Sequence, residues 1–171
     1  MICAHDGGTT GYLDETRRRL SHEEYAVARC LAAEGHAVRS VATSRKGTRQ
    51  ADLDVCGQRV EIKSWLPLAE RDGRPPTPRS VLNKLIDASE QADICVLYGR
   101  RSSLTAAAVR EGIGLYADRH SWPRGLRAVR AIGDGFDLGW DRPVERALSG
   151  RAERPRQLTA EPVARQPVLG M

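Results

Sequence analysis

The sequence predicts an α/β domain, and three observations carry that reading. A capped amphipathic helix opens the domain, short segments of alternating apolar and charged residues follow it, and a second amphipathic helix then runs into a continuous apolar strand. At 171 residues the chain suffices for one core of ordinary size with tails, and two independent cores would be crowded. The expected organisation is a flexible arm over residues 1–19, a domain over 20–140, and a disordered Pro/Arg-rich tail over 141–171 with few large apolar residues to offset ordering entropy.

The first helix starts at Ser21, which with Glu24 matches a capping box. Tyr25, Ala28, Leu31 and Ala32 recur at helical spacing, and Gly35 suits the left-handed cap that ends the helix. Residues 37–41 form a short strand candidate, and a polar stretch leads to two further strands. Pro67 and the run Gly73-Arg-Pro-Pro-Thr-Pro78 break the chain into an exposed loop. Ser80 then caps an amphipathic helix reaching about Ala92. Residues 94–98 read as a buried strand, 104 to about 111 as helix, and 126–132 and 136–138 as short strands.

The two central strands lie in Ala51-Asp-Leu-Asp-Val-Cys-Gly-Gln-Arg-Val-Glu-Ile-Lys-Ser64. Residues i and i+2 of a strand project from one face, so Asp52 and Asp54 share a face, as do Glu61 and Lys63, while Leu53, Val55, Val60 and Ile62 give the opposite faces a reason to pack on a core. Two carboxylate-bearing faces that converge suit phosphodiester cleavage. A hard cation such as Mg²⁺ or Mn²⁺ needs one or two carboxylates plus a substrate phosphate, for which Asp52 and Glu61 are the candidates. Lys63 supplies a compact ammonium to orient water or offset developing charge. Only Lys46, Lys63 and Lys84 among the 27 basic residues are lysine, so a lysine here is not the chain's default cation. The plainer alternative is a half-exposed strand whose Glu61 and Lys63 form a solvated pair worth well under about 1 kcal/mol. Asp54 falls near Gly57 and suits a strand-end or turn role.

Glu24 has two competing assignments. As the third residue after Ser21 it turns back to cap the helix; yet it shares a stripe with Val27, Ala28 and Leu31, where an acid is costly without a charged partner or metal. Glu23 is the alternative for the exposed work. Lys84 on the second helix is either a phosphate contact or a surface lysine, Gln91 a substrate contact or a helix-end side chain, and Trp65 a base-stacking platform or a core anchor.

The net charge of +5 suits a polyanionic partner. Cys3, Cys30, Cys56 and Cys95 have no Cys-x-x-Cys or zinc spacing, which predicts reduced thiols and a cytoplasmic setting. His22-Glu23-Glu24-Tyr25-Ala26 lacks the second histidine of a zinc protease, and His5, His36 and His120 have no ligand spacing. No segment is apolar enough over the length a bilayer requires, so no membrane partner is expected.

The order of helix with Glu24, strand, strand with Asp52, strand with Glu61-Ile62-Lys63, helix and strand resembles the PD-(D/E)xK nuclease superfamily over about residues 20–100. The likeness is greatest to the C-terminal tRNase domains of contact-dependent growth inhibition toxins. It is carried by Glu24 with Leu31-Ala32-Ala33-Glu34-Gly35 and Val38, by Ala51-Asp52-Leu53 with Gly57, by Glu61-Ile62-Lys63-Ser64, and by Gln91-Ala92 before the strand at 94–97. Ala51 stands where that family often has proline. The resemblance implies a restriction-endonuclease-like core, a mixed central sheet flanked by helices, and Asp52, Glu61 and Lys63 as the central set with Glu24 reaching in. It implies a metal-dependent endonuclease acting on nucleic acid, RNA of the tRNA kind first, with a cognate inhibitor protein if the chain is a toxin. The alternatives are a DNA endonuclease of the restriction or repair type, and a non-catalytic nucleic-acid-binding module of the same fold.

Overall fold

The computed structural model describes residues 11–42, 50–67, 74–119 and 125–142. Its elements are β1 (Tyr12–Asp14), α1 (His22–Ala33), β2 (Ala37–Ser40), β3 (Leu53–Val55), β4 (Gln58–Ser64), α2 (Pro78–Ser89), β5 (Ile94–Tyr98), α3 (Ala106–Arg119), β6 (Ala128–Gly133) and β7 (Phe136–Asp141). The seven strands form one sheet in chain order. β1 runs parallel to β2, and β5 parallel to both β4 and β6; β2–β3, β3–β4 and β6–β7 are antiparallel. The sheet is therefore mixed, as expected.

Each face of the sheet has its own core. Val27, Ala28 and Leu31 of α1 pack with Val38, Leu53, Val55, Val60, Ile62, Ile94 and Val96. On the other face Val81, Leu82 and Leu85 of α2 and Val109 and Ile113 of α3 meet Trp65, Cys95, Leu97, Val129 and Ala131. The apolar alternation seen in the sequence thus fills the α1 side of β3 and β4, and the intervening residues, Glu61 and Lys63 among them, turn to the α2 side.

Local chemistry sets the boundaries. Ser21 Oγ accepts the Glu24 N–H at 3.2 Å and Glu24 returns the contact to the Ser21 N–H at 2.8 Å, so the expected capping box is present. Cys56 and Gly57, at φ 51° and 81°, join β3 to β4 as a two-residue turn whose positive φ values match the strand twist. Asp54 Oδ1 accepts the Gly57 N–H at 2.9 Å and serves that turn.

Three expectations shift. The second helix is capped by Thr77, with Pro78 at its first position, and Ser80 is the third residue of that capping box. The third helix continues through Gly112 and Gly114 to Arg119, well past residue 111. Part of the expected arm is ordered: Tyr12–Asp14 adds an edge strand, and the chain through residue 20 is tied down by the Thr16 N–H on Asp14 Oδ1 and the Leu20 N–H on Glu15 Oε1. Residues 1–10 of that arm, most of the polar stretch after β2, and the tail from 143 onward lie outside the described residues. Among the described residues Cys30, Cys56 and Cys95 are free thiols, and no helix is long and apolar enough to cross a membrane.

Candidate active site

Asp52 precedes β3 by one residue, where the chain enters the sheet beside β4. Its Oδ2 accepts the Ile62 N–H at 2.9 Å, which fixes the carboxylate against the strand carrying Glu61 and Lys63. Glu61 is 4 % exposed. Its Oε1 lies 2.8 Å from Lys63 Nζ, and its Oε2 is buried with no hydrogen-bond partner among the described residues. Lys63 Nζ also reaches Asp87 Oδ2 of α2 at 3.2 Å. Glu24 comes in from the first turn of α1 and lies against Asp52. All four residues expected in the catalytic set, Glu24, Asp52, Glu61 and Lys63, are therefore brought together.

Glu24 performs both of the jobs that competed in the sequence. One carboxylate caps the Ser21 N–H and simultaneously receives the Arg18 guanidinium, with contacts of 2.7 and 3.0 Å to its two oxygens. Glu23 stays at the helix end, 3.4 Å from Ser21 Oγ.

The electrostatics follow from crowding acids in a half-dry site. Burial pushes Asp52 up to about 7, and the neighbouring Glu61 and Glu24 add to the rise against the Ile62 N–H. Burial likewise raises Glu61, even though Lys63 opposes the shift. For Glu24 burial works upward too, but the Arg18 hydrogen bonds and the Ser21 N–H outweigh it and hold the carboxyl below its ordinary range. Burial would lower Lys63, yet its bonds to Glu61 and Asp87 win and its pKa rises. Lys63 is thus a fixed ammonium, a donor and not a base.

The donor set fits a hard divalent ion. Asp52 and Glu61 are oxygen ligands, and a buried carboxylate oxygen with no partner calls for a cation or a proton. Among the described residues no group of three or more His, Cys, Asp or Glu is arranged to ligate one ion as it stands. Two carboxylates suffice for Mg²⁺, which keeps several waters and takes the rest of its shell from substrate phosphate.

The three residues expected to contact substrate have contacts of their own within the protein. Trp65 is 5 % exposed and packs in the α2/α3 core, with Lys84 Nζ 5.0 Å from its ring centroid, so the ring offers no open face for a base. Gln91 Nε2 donates to the Asp87 carbonyl at 3.1 Å, a helix-end bond.

Two site residues escaped the sequence. Arg18 stands in a run of three arginines with nothing to mark which one turns inward. Asp87 is an exposed acid between the buried Leu85 and Ala88 of α2, and nothing in the local pattern marks it as the partner of Lys63.

No protein-family profile and no curated protein matches the chain. Among solved structures, the CdiA-CT/CdiI toxin and immunity complex from Burkholderia pseudomallei contains a similar chain. Identity is 19 %, the match covers 76 % of this chain and 98 % of that one, and the TM-score is 0.48. The chemistry of the site therefore rests on its own residues: a carboxylate cluster of Glu24, Asp52 and Glu61, in which the Arg18 guanidinium joins Glu24 to Asp52 and the Lys63 ammonium pairs with Glu61.

Proposed function

We propose that the protein is a metal-dependent endonuclease that hydrolyses phosphodiester bonds in nucleic acid, with RNA of the tRNA kind as first substrate. The observation that carries the reading is the convergence of Asp52, Glu61 and Lys63 at a buried carboxylate oxygen that has no hydrogen-bond partner among the described residues. The choice of RNA comes from the family resemblance of the motifs, while the net charge of +5 favours either polyanion.

Asp52 and Glu61 would hold Mg²⁺ or Mn²⁺, which supplies Lewis-acid polarisation of the scissile phosphate. Lys63 is restrained from two sides by Glu61 and Asp87, so its charge is held in place beside Glu61 and would cost little reorganisation when negative charge builds up on a phosphate. Ile62 keeps Asp52 in place through its backbone N–H, and the rigid β3–β4 pair sets the separation of the two carboxylates.

The test is cleavage of total tRNA and of plasmid DNA, side by side, with Mg²⁺, Mn²⁺ or EDTA. Cutting of tRNA that EDTA abolishes, with Glu61→Gln and Lys63→Ala each losing at least about 100-fold while keeping their thermal melts, is the expected result. Cutting of plasmid alone would move the substrate to DNA. Full activity of Glu61→Gln, or activity indifferent to EDTA, would overturn the metal-centred reading.

A further inference from the structure

Arg18 is the best-connected side chain at the site. Its guanidinium grips both oxygens of Glu24, at 2.7 and 3.0 Å, and donates to Asp52 Oδ1 at 3.0 Å and to the Asp52 carbonyl at 3.3 Å. Its Nε donates to the Val41 carbonyl at 3.1 Å, and its backbone N–H to Ser40 Oγ at 3.2 Å. One residue from the segment before α1 thereby joins α1, the end of β2 and the start of β3.

This grip has a consequence for an incoming cation. Asp52 Oδ2 already accepts the Ile62 N–H and Oδ1 the Arg18 guanidinium, while Glu61 Oε2 has no partner among the described residues. A divalent ion seated between Asp52 and Glu61 shares the Asp52 carboxylate with the guanidinium, and two cations drawn to one carboxylate repel at short range in a half-buried site. The same guanidinium supplies positive charge to a cluster whose three carboxylates would otherwise repel one another in the ion-free protein.

From these contacts we infer that Arg18 is a positioning residue that acts as the resident counter-cation of the cluster. It holds Glu24 and Asp52 together before ion binding and, by competing for Asp52, sets the affinity for the divalent ion. The inference rests on the metal-centred reading above and adds the residue that tunes it. Arginine suits the task because its planar fork spans both oxygens of Glu24 while a third contact reaches Asp52, a geometry lysine cannot reproduce.

The experiment is Mn²⁺ binding by titration calorimetry, with no nucleic acid present, to the wild-type protein, Arg18→Met and Arg18→Lys, accompanied by thermal melts in EDTA and in saturating Mn²⁺. Arg18→Met is expected to melt lower than wild type in EDTA, to bind Mn²⁺ about tenfold more tightly or better, and to show the larger rise in melting temperature on adding Mn²⁺. Arg18→Lys keeps a charge but loses the fork, and is expected to fall between the two; it decides the matter if Arg18→Met does not fold. Unchanged or weaker Mn²⁺ affinity in the folded variants, with wild type binding normally, would overturn the role of Arg18 and leave the metal centre standing. A folded wild-type protein and folded variants that all fail to bind Mn²⁺ or Mg²⁺ would overturn the metal centre and the inference together.

Discussion

Asp52 illustrates how one residue stores the tension of the site. Its carboxyl is pushed up from an ordinary 3.8 to about 7 by burial and by the acids beside it. Between those values the folded chain holds a proton that the unfolded chain has released, so stability falls as pH rises through the window. In EDTA, the melting temperature of Asp52→Asn relative to wild type should rise from pH 5 to pH 8, because over that span the unfolded wild type is ionised while the folded chain keeps its proton until about pH 7. Equal offsets at the two pH values would mean that Asp52 is ionised throughout. Glu24 shows the complementary case: with Arg18 on both oxygens its acid is held below the ordinary range, so its charge persists to lower pH. Of these residues the sequence marked Glu24, Asp52, Glu61 and Lys63, because strand alternation and helix spacing report which positions share a face. Arg18 and Asp87 were less legible, since their roles depend on contacts across 34 and 24 positions of chain.

At the scale of elements, α2 and α3 meet at a contact that only glycine permits. A Cβ at Gly112 would lie 2.5 Å from Val81 Cβ and 2.9 Å from the Pro78 carbonyl oxygen. Gly112→Ala is therefore expected to force the helices apart at a cost of about 2 kcal/mol, read as a lower midpoint in urea denaturation; a gain in stability would show that helix propensity outweighs the close approach. The same glycine explains why the sequence ends the third helix near residue 111: Gly112 and Gly114 lower local propensity, and their packing value appears once α2 lies alongside. The shift of the α2 cap from Ser80 to Thr77 has a similar origin. Both residues have cap chemistry, and Pro78, which cannot sit inside a helix but fits its first turn, settles the start at Thr77.

Across the whole molecule, Arg130 ties the beginning of the domain to its end. Its guanidinium contacts both Glu34 oxygens at 2.6 Å, at the close of α1, and Asp137 of β7 at 2.9 and 2.6 Å. The Arg130 side chain is 19 % exposed, so the network is shielded enough to matter and wet enough to stay below the full value of a buried pair. Arg130→Met should cost about 2 kcal/mol in chemical denaturation while leaving the proposed nuclease activity of the folded protein unchanged, because Glu34 closes α1 whereas Glu24 of the site lies in its first turn. A loss below about 0.5 kcal/mol would assign the network to ordinary surface pairing.

The sequence by itself determined the class of fold, the order of its main elements and the acidic strands, because periods of two and of 3.6 residues and the capping residues are local properties. It determined which side chains could share a face with Asp52 and with Glu61. Tertiary structure alone decided that those faces meet, that Trp65 is covered by Lys84 instead of open to a base, and that Tyr12–Asp14 closes an edge of the sheet. It also decided which of three adjacent arginines enters the site. Those outcomes depend on distances between segments remote in the chain, where burial and unsatisfied carboxylate oxygens select a partner that no local pattern specifies.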